Sequence, residues 1–226
     1  MIQRYSNIIW DWNGTLFDDV NWCIECKNGM LAKRGLPTMQ DVNAYHDVFC
    51  FPIIQYYRNI GFDFQQEPFE ELAREYIALY HANTSGNCKL HANAKSVLTD
   101  IHNSGITQCV LSASKISNLS SQMSEFDIDD YFDEILGLSD IYAKSKVDIG
   151  MDYMARKNIT NALLIGDTVH DYEVATALGA DCVLIPNGHQ SRKALLSCGV
   201  PVLNDISCVV AYINNTITEE SGIVKL

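Results

Sequence analysis

Asp11 ends a short apolar run, Asn7–Trp10, and opens the stretch Asp11-Trp12-Asn13-Gly14-Thr15-Leu16-Phe17-Asp18-Asp19. A carboxylate at a strand tip followed by a glycine turn directs its oxygens and the next backbone N–H groups at one spot. That suits an anionic, metal-bound substrate; a strand end with a capping aspartate is the plainer alternative. A second acidic loop, Gly166-Asp167-Thr168-Val169-His170-Asp171, follows another apolar run. Its two carboxylates, four residues apart, have the chemistry to hold Mg²⁺, which takes one or two carboxylates with waters and phosphate oxygens. Asp171 could equally serve only as a favourable charge at a helix N-terminus. Ser112, after the run 106–111, could donate a hydrogen bond to a phosphate oxygen. Lys146, at a helix start, could neutralise a transferred group. Taken singly, each is also a plausible cap or solvated charge.

These residues need elements to hold them. From about residue 90 onward, apolar runs of strand length alternate with helical spacing. The pattern predicts strands over 106–111, 132–136, 161–165, 181–185 and 200–203. It predicts helices over 114–126, with Ser114 or Ser117 as N-cap, and over 145–157, 170–178, 191–196 and 206–213. Gly179 is placed to stop the third of these. Alternation of this kind implies an α/β fold, a mainly parallel sheet covered on both faces, with ligands beyond the strands' carboxyl ends. The strand before Asp167 is expected beside the strand before Asp11, so that both acidic loops face one cavity. Residues 19–85 read as helices only, over 20–34, 39–48, 52–59 and 68–80. The expected division is a core of 1–18 and 86–226 with an inserted helical cap of 19–85. The tail, 216–226, is expected to be irregular.

The 226 residues carry 16 Lys plus Arg against 28 Asp plus Glu, a formal charge of −12. That balance argues against a nucleic-acid surface and a polybasic membrane anchor. With 47% hydrophobic and 19% charged residues the chain is suited to a packed core. No run approaches the ~20 apolar residues of a membrane span, and no targeting segment is recognisable. Eight scattered cysteines favour buried thiols in a reducing compartment, so a cytoplasmic protein is expected. Cys23 and Cys26 form C-x-x-C on a helical stretch without a second ligand pair of zinc spacing. Glu67, Glu70, Glu71 and Glu75 read as a solvated helix face. The tryptophans 10, 12 and 22 and tyrosines 56, 57, 76 and 80 read as packing rather than a ligand wall.

Taken in order, the four segments resemble the motifs of the haloacid dehalogenase (HAD)-like hydrolase superfamily: DWNGTLFDD, Ser112, Lys146 and GDTVHD. The stretch Val48-Phe49-Cys50-Phe51-Pro52-Ile53-Ile54-Gln55-Tyr56-Tyr57, followed by Gly61, is similar to the helical cap of the phosphoglycolate phosphatase-like branch. The resemblance implies a Rossmann-like core with an inserted α-helical cap and Mg²⁺-dependent phosphoryl transfer from a small phosphorylated metabolite. It implies Asp11 as the nucleophile that becomes an aspartyl phosphate. Asp11, the Asn13 carbonyl and Asp167, supported by Asp171, would hold Mg²⁺. Ser112, Ala113, Lys146 and the backbone near Trp12 and Asn13 would cradle the phosphate. Lys144 is the weaker candidate for the lysine, because Lys146 better fits a helix start.

Phosphatases of this family usually place a second Asp two residues after the nucleophile, as acid for the leaving alcohol and base for water. Here that residue is Asn13, whose amide does neither job. Loss of such help is typically worth roughly 10²–10⁴ in rate. His170, Asp18, Asp19 or His46 could substitute, or substrates could have good leaving groups. The alternative is a phospho-ligand binding module with little catalysis. Carbon–halogen cleavage and phosphonate hydrolysis are associated in the family with an aromatic residue or alanine at this position, and no Schiff-base lysine stands out in the cap.

Overall fold

The computed structural model describes residues 4–139 and 145–216, together with the backbone of 223–224. Lys144, the second lysine candidate, lies outside the described residues. The chain begins with β1 (Asn7–Trp10) and a two-residue strand β2 (Phe17–Asp18). The helices α1 (Val20–Lys33), α2 (Val42–Val48), α3 (Ile53–Asn59) and α4 (Phe69–Ala82) follow, then a single turn α5 (Thr84–Asn87). β3 (Lys89–Leu90) pairs antiparallel with β2, so a small ribbon carries the chain out to the helices and back. Two-residue strands leave no readable periodicity, and neither was expected.

The rest alternates: α6 (Ala94–Asn103), β4 (Thr107–Lys115), α7 (Ile116–Ser124), β5 (Glu134–Leu138), α8 (Lys146–Lys157), β6 (Ala162–Gly166), α9 (Val169–Leu178) and β7 (Asp181–Leu184). It ends with α10 (Arg192–Leu196), β8 (Val202–Leu203), α11 (Val209–Ile213) and β9 (Ile223–Val224). Strands β5-β4-β1-β6-β7-β8 form a parallel sheet in that order, and β9 adds to its edge antiparallel. The fold is thus the expected Rossmann-like α/β core with a helical insertion. β1 lies between β4 and β6, where the chain order reverses, the place where such sheets bind ligands beyond the strands' carboxyl ends.

All of β1 is buried because both sheet faces are covered. Successive side chains point to opposite faces. Ile8 and Trp10 therefore join one apolar cluster with Val110, Leu163, Ile165 and Val183. Ile9 joins the other with Leu111, Leu164 and Leu184.

Several boundaries differ from expectation. β4 continues to Lys115 through a register shift after Leu111, so Ser112 sits within the strand. Helix α7 consequently starts at Ile116, and Lys115 rather than either serine is its N-cap. Helix α6 was not anticipated, although Ala94, Val97, Leu98 and Ile101 have helical spacing and are buried. The 206–213 segment divides into a 3₁₀ turn, whose Asp205 carboxylate accepts from Ser207 N–H, and α11. β9 lies in the tail expected to be irregular; the other tail residues from 217 on lie outside the described set.

The inserted helices have their own core, including Met30, Leu31, Tyr45, Tyr56, Tyr57 and Leu72. Glu67 and Glu75 are not a merely solvated face, because Arg34 donates to both, at 2.7 and 2.5 Å; Glu70 and Glu71 are exposed. Lys27 lies inside this core, 2% exposed, its ammonium 3.6 Å and 3.9 Å from the ring centres of Tyr57 and Tyr76. Burial lowers its pKa from 10.5 to about 7. Such a lowering corresponds to about 5 kcal/mol against the charged form, of which an imperfectly packed apolar substitute would give back about 1–2 kcal/mol. Because the unfolded chain binds this proton more tightly, stability rises with pH between about 7 and 10.5. Lys27→Met is expected to raise unfolding free energy near pH 7 by about 3 kcal/mol and to flatten that rise. Denaturant unfolding across this pH range checks both.

Candidate active site

Asp11 leaves the tip of β1, and its N–H donates to Ile165 O at 2.9 Å, which ties it to neighbouring β6. Asp167 follows β6 directly, and Asp171 lies in the first turn of α9. The N-cap Thr168 and Asp171 exchange bonds in a capping box, which fixes the Asp171 side chain. Lys146 opens α8 behind a second capping box of Ser145 and Asp148. Its Nζ donates to Asp11 Oδ1 at 2.5 Å and to Asp171 Oδ1 at 2.7 Å. Thr15 Oγ1 lies 3.1 Å from Asp11 Oδ2 and 3.0 Å from Asp167 Oδ1. Asp11, Asp167 and Asp171 each offer an oxygen within 4.8 Å of the others, and all are buried.

Burial pushes Asp11 up to about 6, Asp171 adds to the rise, and Lys146 opposes it. Burial also drives Asp167 well above the usual carboxylate range against the pull of His189. For Asp171 burial is outweighed by Lys146, and its pKa is lowered. Lys146 is held charged because its two carboxylates outweigh burial. One lysine thus bonds two of three carboxylates whose oxygens converge, and a hard divalent cation fits that all-oxygen donor set. The surroundings leave no slack. A Cβ on Gly14 would lie 2.3 Å from Asp167 Oδ2, and one on Gly188 would lie 2.0 Å from it.

Gly14 also has φ +77°. Gly14→Ala therefore combines about 1–2 kcal/mol of left-handed strain with about 1–3 kcal/mol of overpacking. The expected result is a melting temperature lowered by roughly 5–15 °C in thermal denaturation.

The other expected residues are placed as follows. Ser112 is buried, and its Oγ accepts from Ser114 N–H at 3.1 Å; Ala113 beside it is exposed. The Trp12 side chain is turned into the core, donating from Nε1 to Gln122 Oε1 at 2.9 Å, so only its main chain is available to a ligand. The Asn13 amide donates from Nδ2 to Asp19 Oδ2 at 2.8 Å and to the Tyr80 hydroxyl at 3.1 Å. Its Oδ1 accepts from Ser114 Oγ at 2.9 Å. Of the four suggested stand-ins for the missing acid, Asp19 alone bonds the Asn13 side chain. Asp18 faces Lys89 at 3.9 Å, His170 faces Glu173 at 3.3 Å, and His46 Nε2 lies 2.9 Å from Gly188 O.

Several residues of this network were not read from the sequence as site residues, among them Thr15, Tyr80, Ser114, Tyr45 and His189. His189 Nε2 lies 3.3 Å from Asp19 Oδ1, its Nδ1 lies 2.8 Å from the Tyr45 hydroxyl, and its N–H donates to Asp167 Oδ2 at 2.6 Å. Burial works against its charged form, but Asp19 and Asp167 raise its pKa to about 9. Reciprocally, His189 overcomes burial at Asp19 and holds that carboxyl below its ordinary value. The available signal was Gly188-His189 following β7, at the same carboxyl edge as the acidic loops.

A parallel sheet with acidic loops converging at its reversal point is the arrangement of an α/β protein that binds its ligand at the strands' carboxyl edge. A sequence model of the family described as haloacid dehalogenase-like hydrolase matches residues 8–185, and the chain belongs to this family. Among solved structures, the haloacid dehalogenase-like hydrolase SP0104 of Streptococcus pneumoniae superposes with a TM-score of 0.79 at 20% identity, covering 92% of this chain and 98% of that one. A predicted phosphoglycolate phosphatase of Haemophilus somnus gives 0.76 at 17% identity, covering 94% and 99%. The tyrosine-protein kinase PtkA of Mycobacterium tuberculosis is 27% identical over 185 residues. That match takes in 80% of this chain, which spans about 62% of the length of this curated relative.

Proposed function

We propose that the protein is a Mg²⁺-dependent phosphoric monoester hydrolase acting on a small phosphorylated metabolite, possessing the phosphoglycolate phosphatase-like architecture. The observation that carries this reading is the buried convergence of Asp11 and Asp167, after the adjacent strands β1 and β6, with Asp171 of α9, two of them, Asp11 and Asp171, bonded by Lys146. In this reading Asp11, the Asn13 carbonyl, Asp167 and Asp171 would hold Mg²⁺, which would supply charge neutralisation for the phosphate. Asp11 attacks phosphorus through a carboxylate oxygen, the phosphorus–oxygen ester bond breaks, its electron pair leaves with the departing oxygen, which takes a proton from solvent, and an aspartyl phosphate forms. Water then cleaves that anhydride. Lys146 holds Asp11 in place and faces the equatorial oxygens, assisted by Ser112. The −12 charge supports a protein without nucleic-acid partners, and eight cysteines scattered along the chain support a cytoplasmic one. Among the described residues no helix is long and apolar enough to cross a membrane.

The second reading, a phospho-ligand binding module, is favoured by the Asn13 amide, which is locked to Asp19 where an acid would serve turnover. A panel of alkyl, aryl (including phosphotyrosine) and acyl phosphates, with Mg²⁺ and with chelator, separates the two. Hydrolysis requires phosphate release that chelation abolishes and Mg²⁺ restores. Mg²⁺-dependent binding without release on any substrate supports the module instead.

A further inference from the structure

Beside the carboxylate cluster stands a second convergence of donors with different chemistry. Asp19, Cys23 and His189 each present one ligand atom, all mutually within 4.8 Å, and are 1%, 7% and 8% exposed. Asp19 Oδ1 lies 3.3 Å from His189 Nε2, and Asp19 Oδ2 lies 3.5 Å from Cys23 Sγ. The first separation is that of an oxygen–nitrogen edge, about 3.3 Å, and the second that of an oxygen–sulfur edge, about 3.5 Å, of a zinc tetrahedron; they run to different Asp19 oxygens, so a small turn of the carboxylate would present one oxygen to both partners. Groups around the three hold them in this arrangement. The Tyr45 hydroxyl at Nδ1 fixes the His189 ring, leaving Nε2 toward Asp19. The Tyr76 hydroxyl donates to Cys23 Sγ at 3.1 Å, and Gly14 N–H donates to Asp19 Oδ1 at 3.1 Å. A histidine oriented through its other nitrogen is the usual setting of a metal-binding imidazole.

We propose that Asp19, Cys23 and His189 form a binding site for a borderline-soft divalent cation, Zn²⁺, distinct from the all-oxygen site of Asp11, Asp167 and Asp171. Thiolate and imidazole select zinc, whereas carboxylates alone suit Mg²⁺. Binding replaces the protons on Cys23 Sγ and His189 Nε2, which leave to solvent, and no bond changes oxidation state. Cys23 belongs to α1 of the helical insertion, and His189 to the loop after β7 of the core. A cation shared between them ties insertion to core, and His189 N–H carries the link to Asp167. Zinc occupancy thereby restrains any opening of the insertion that admits substrate.

The test uses Co²⁺ as a spectroscopic probe on the full chain with the carboxylate site saturated by Mg²⁺. The expected result is a near-ultraviolet thiolate-to-cobalt band, removed by added Zn²⁺. The band disappears in Cys23→Ser and persists in Cys26→Ser and Asp11→Asn. Zn²⁺ affinity, measured by competition with a chromophoric chelator, falls in Cys23→Ser and in His189→Ala by at least the roughly 10–100-fold that outer-sphere changes cost. Absence of the band in the unmodified chain overturns the proposal. So does a band that survives Cys23→Ser, or an affinity unchanged in His189→Ala. None of these readouts needs phosphate turnover, so failure of the hydrolase reading leaves them intact.

Discussion

Asp11→Asn is expected to fold, to melt higher than the parent protein without divalent cation, and to lose at least about 10⁴-fold in turnover. The loss follows from chemistry: an amide oxygen does not form the acyl phosphate, and removing a nucleophile from a cooperating set typically costs as much as removing the set. The gain in stability follows from the same burial. Asp11 sits at about 6 in the folded protein against 3.8 ordinarily, through burial first and then Asp171, with Lys146 only partly compensating. Its folded value is the higher one, so its ionisation costs stability as pH rises from about 4 to 6, and the cost is complete at pH 7. That cost is of order 1–3 kcal/mol, and asparagine removes it. Added Mg²⁺ reverses the order, because the parent keeps a carboxylate that the variant lacks. Thermal melts with and without Mg²⁺, set beside turnover and trapping of radiolabelled phosphate on protein, read all three effects. A variant that retains turnover would remove Asp11 from the chemistry.

The strand tips were legible because burial on both sheet faces leaves uninterrupted apolar runs, as in Ile8–Trp10 and Leu163–Ile165, and a carboxylate directly after the first run and one glycine beyond the second marks each end. Lys146 was legible for a related reason: Ser145 and Asp148 announce a helix start. What the sequence concealed were partners that meet only across the insertion. Tyr80 and Tyr45 lie on different helices, and His189 is 170 residues from Asp19 by number, yet all belong to one hydrogen-bonded group. Periodicity reports which face of a helix is apolar, and a buried tyrosine counts toward that face whether or not its hydroxyl has a polar errand. Lys27 was hidden in the opposite sense, since a lysine within a helix reads as solvated, and only the tyrosine faces around it show that it is not.

The same group of partners explains Asn13 and gives the second large effect. Asn13 Nδ2 donates to an Asp19 carboxylate that His189 keeps ionised, so a residue at this position must bring a proton with it. An amide brings one permanently. In Asn13→Asp the introduced carboxyl would meet Asp19 Oδ2 at the distance now spanned by the amide, 2.8 Å, and two carboxylates so close share one proton. Because Asp19 is the better stabilised anion, the introduced group keeps the proton and stays neutral above the ordinary carboxyl range. A protonated acid within reach of a leaving alkoxide is what alkyl phosphate hydrolysis requires. Turnover of alkyl phosphates is therefore expected to rise by roughly 10²–10⁴-fold, while aryl phosphates, whose leaving groups need no proton, change little. The variant's stability should fall with increasing pH, since its folded-state pKa is the raised one and the unfolded chain releases that proton first. Paired pH–rate profiles on one alkyl and one aryl ester decide the matter. If their ratio is unmoved by the substitution, another group already delivers the proton, and the tie from Asn13 to Asp19 is there to hold the insertion against the core.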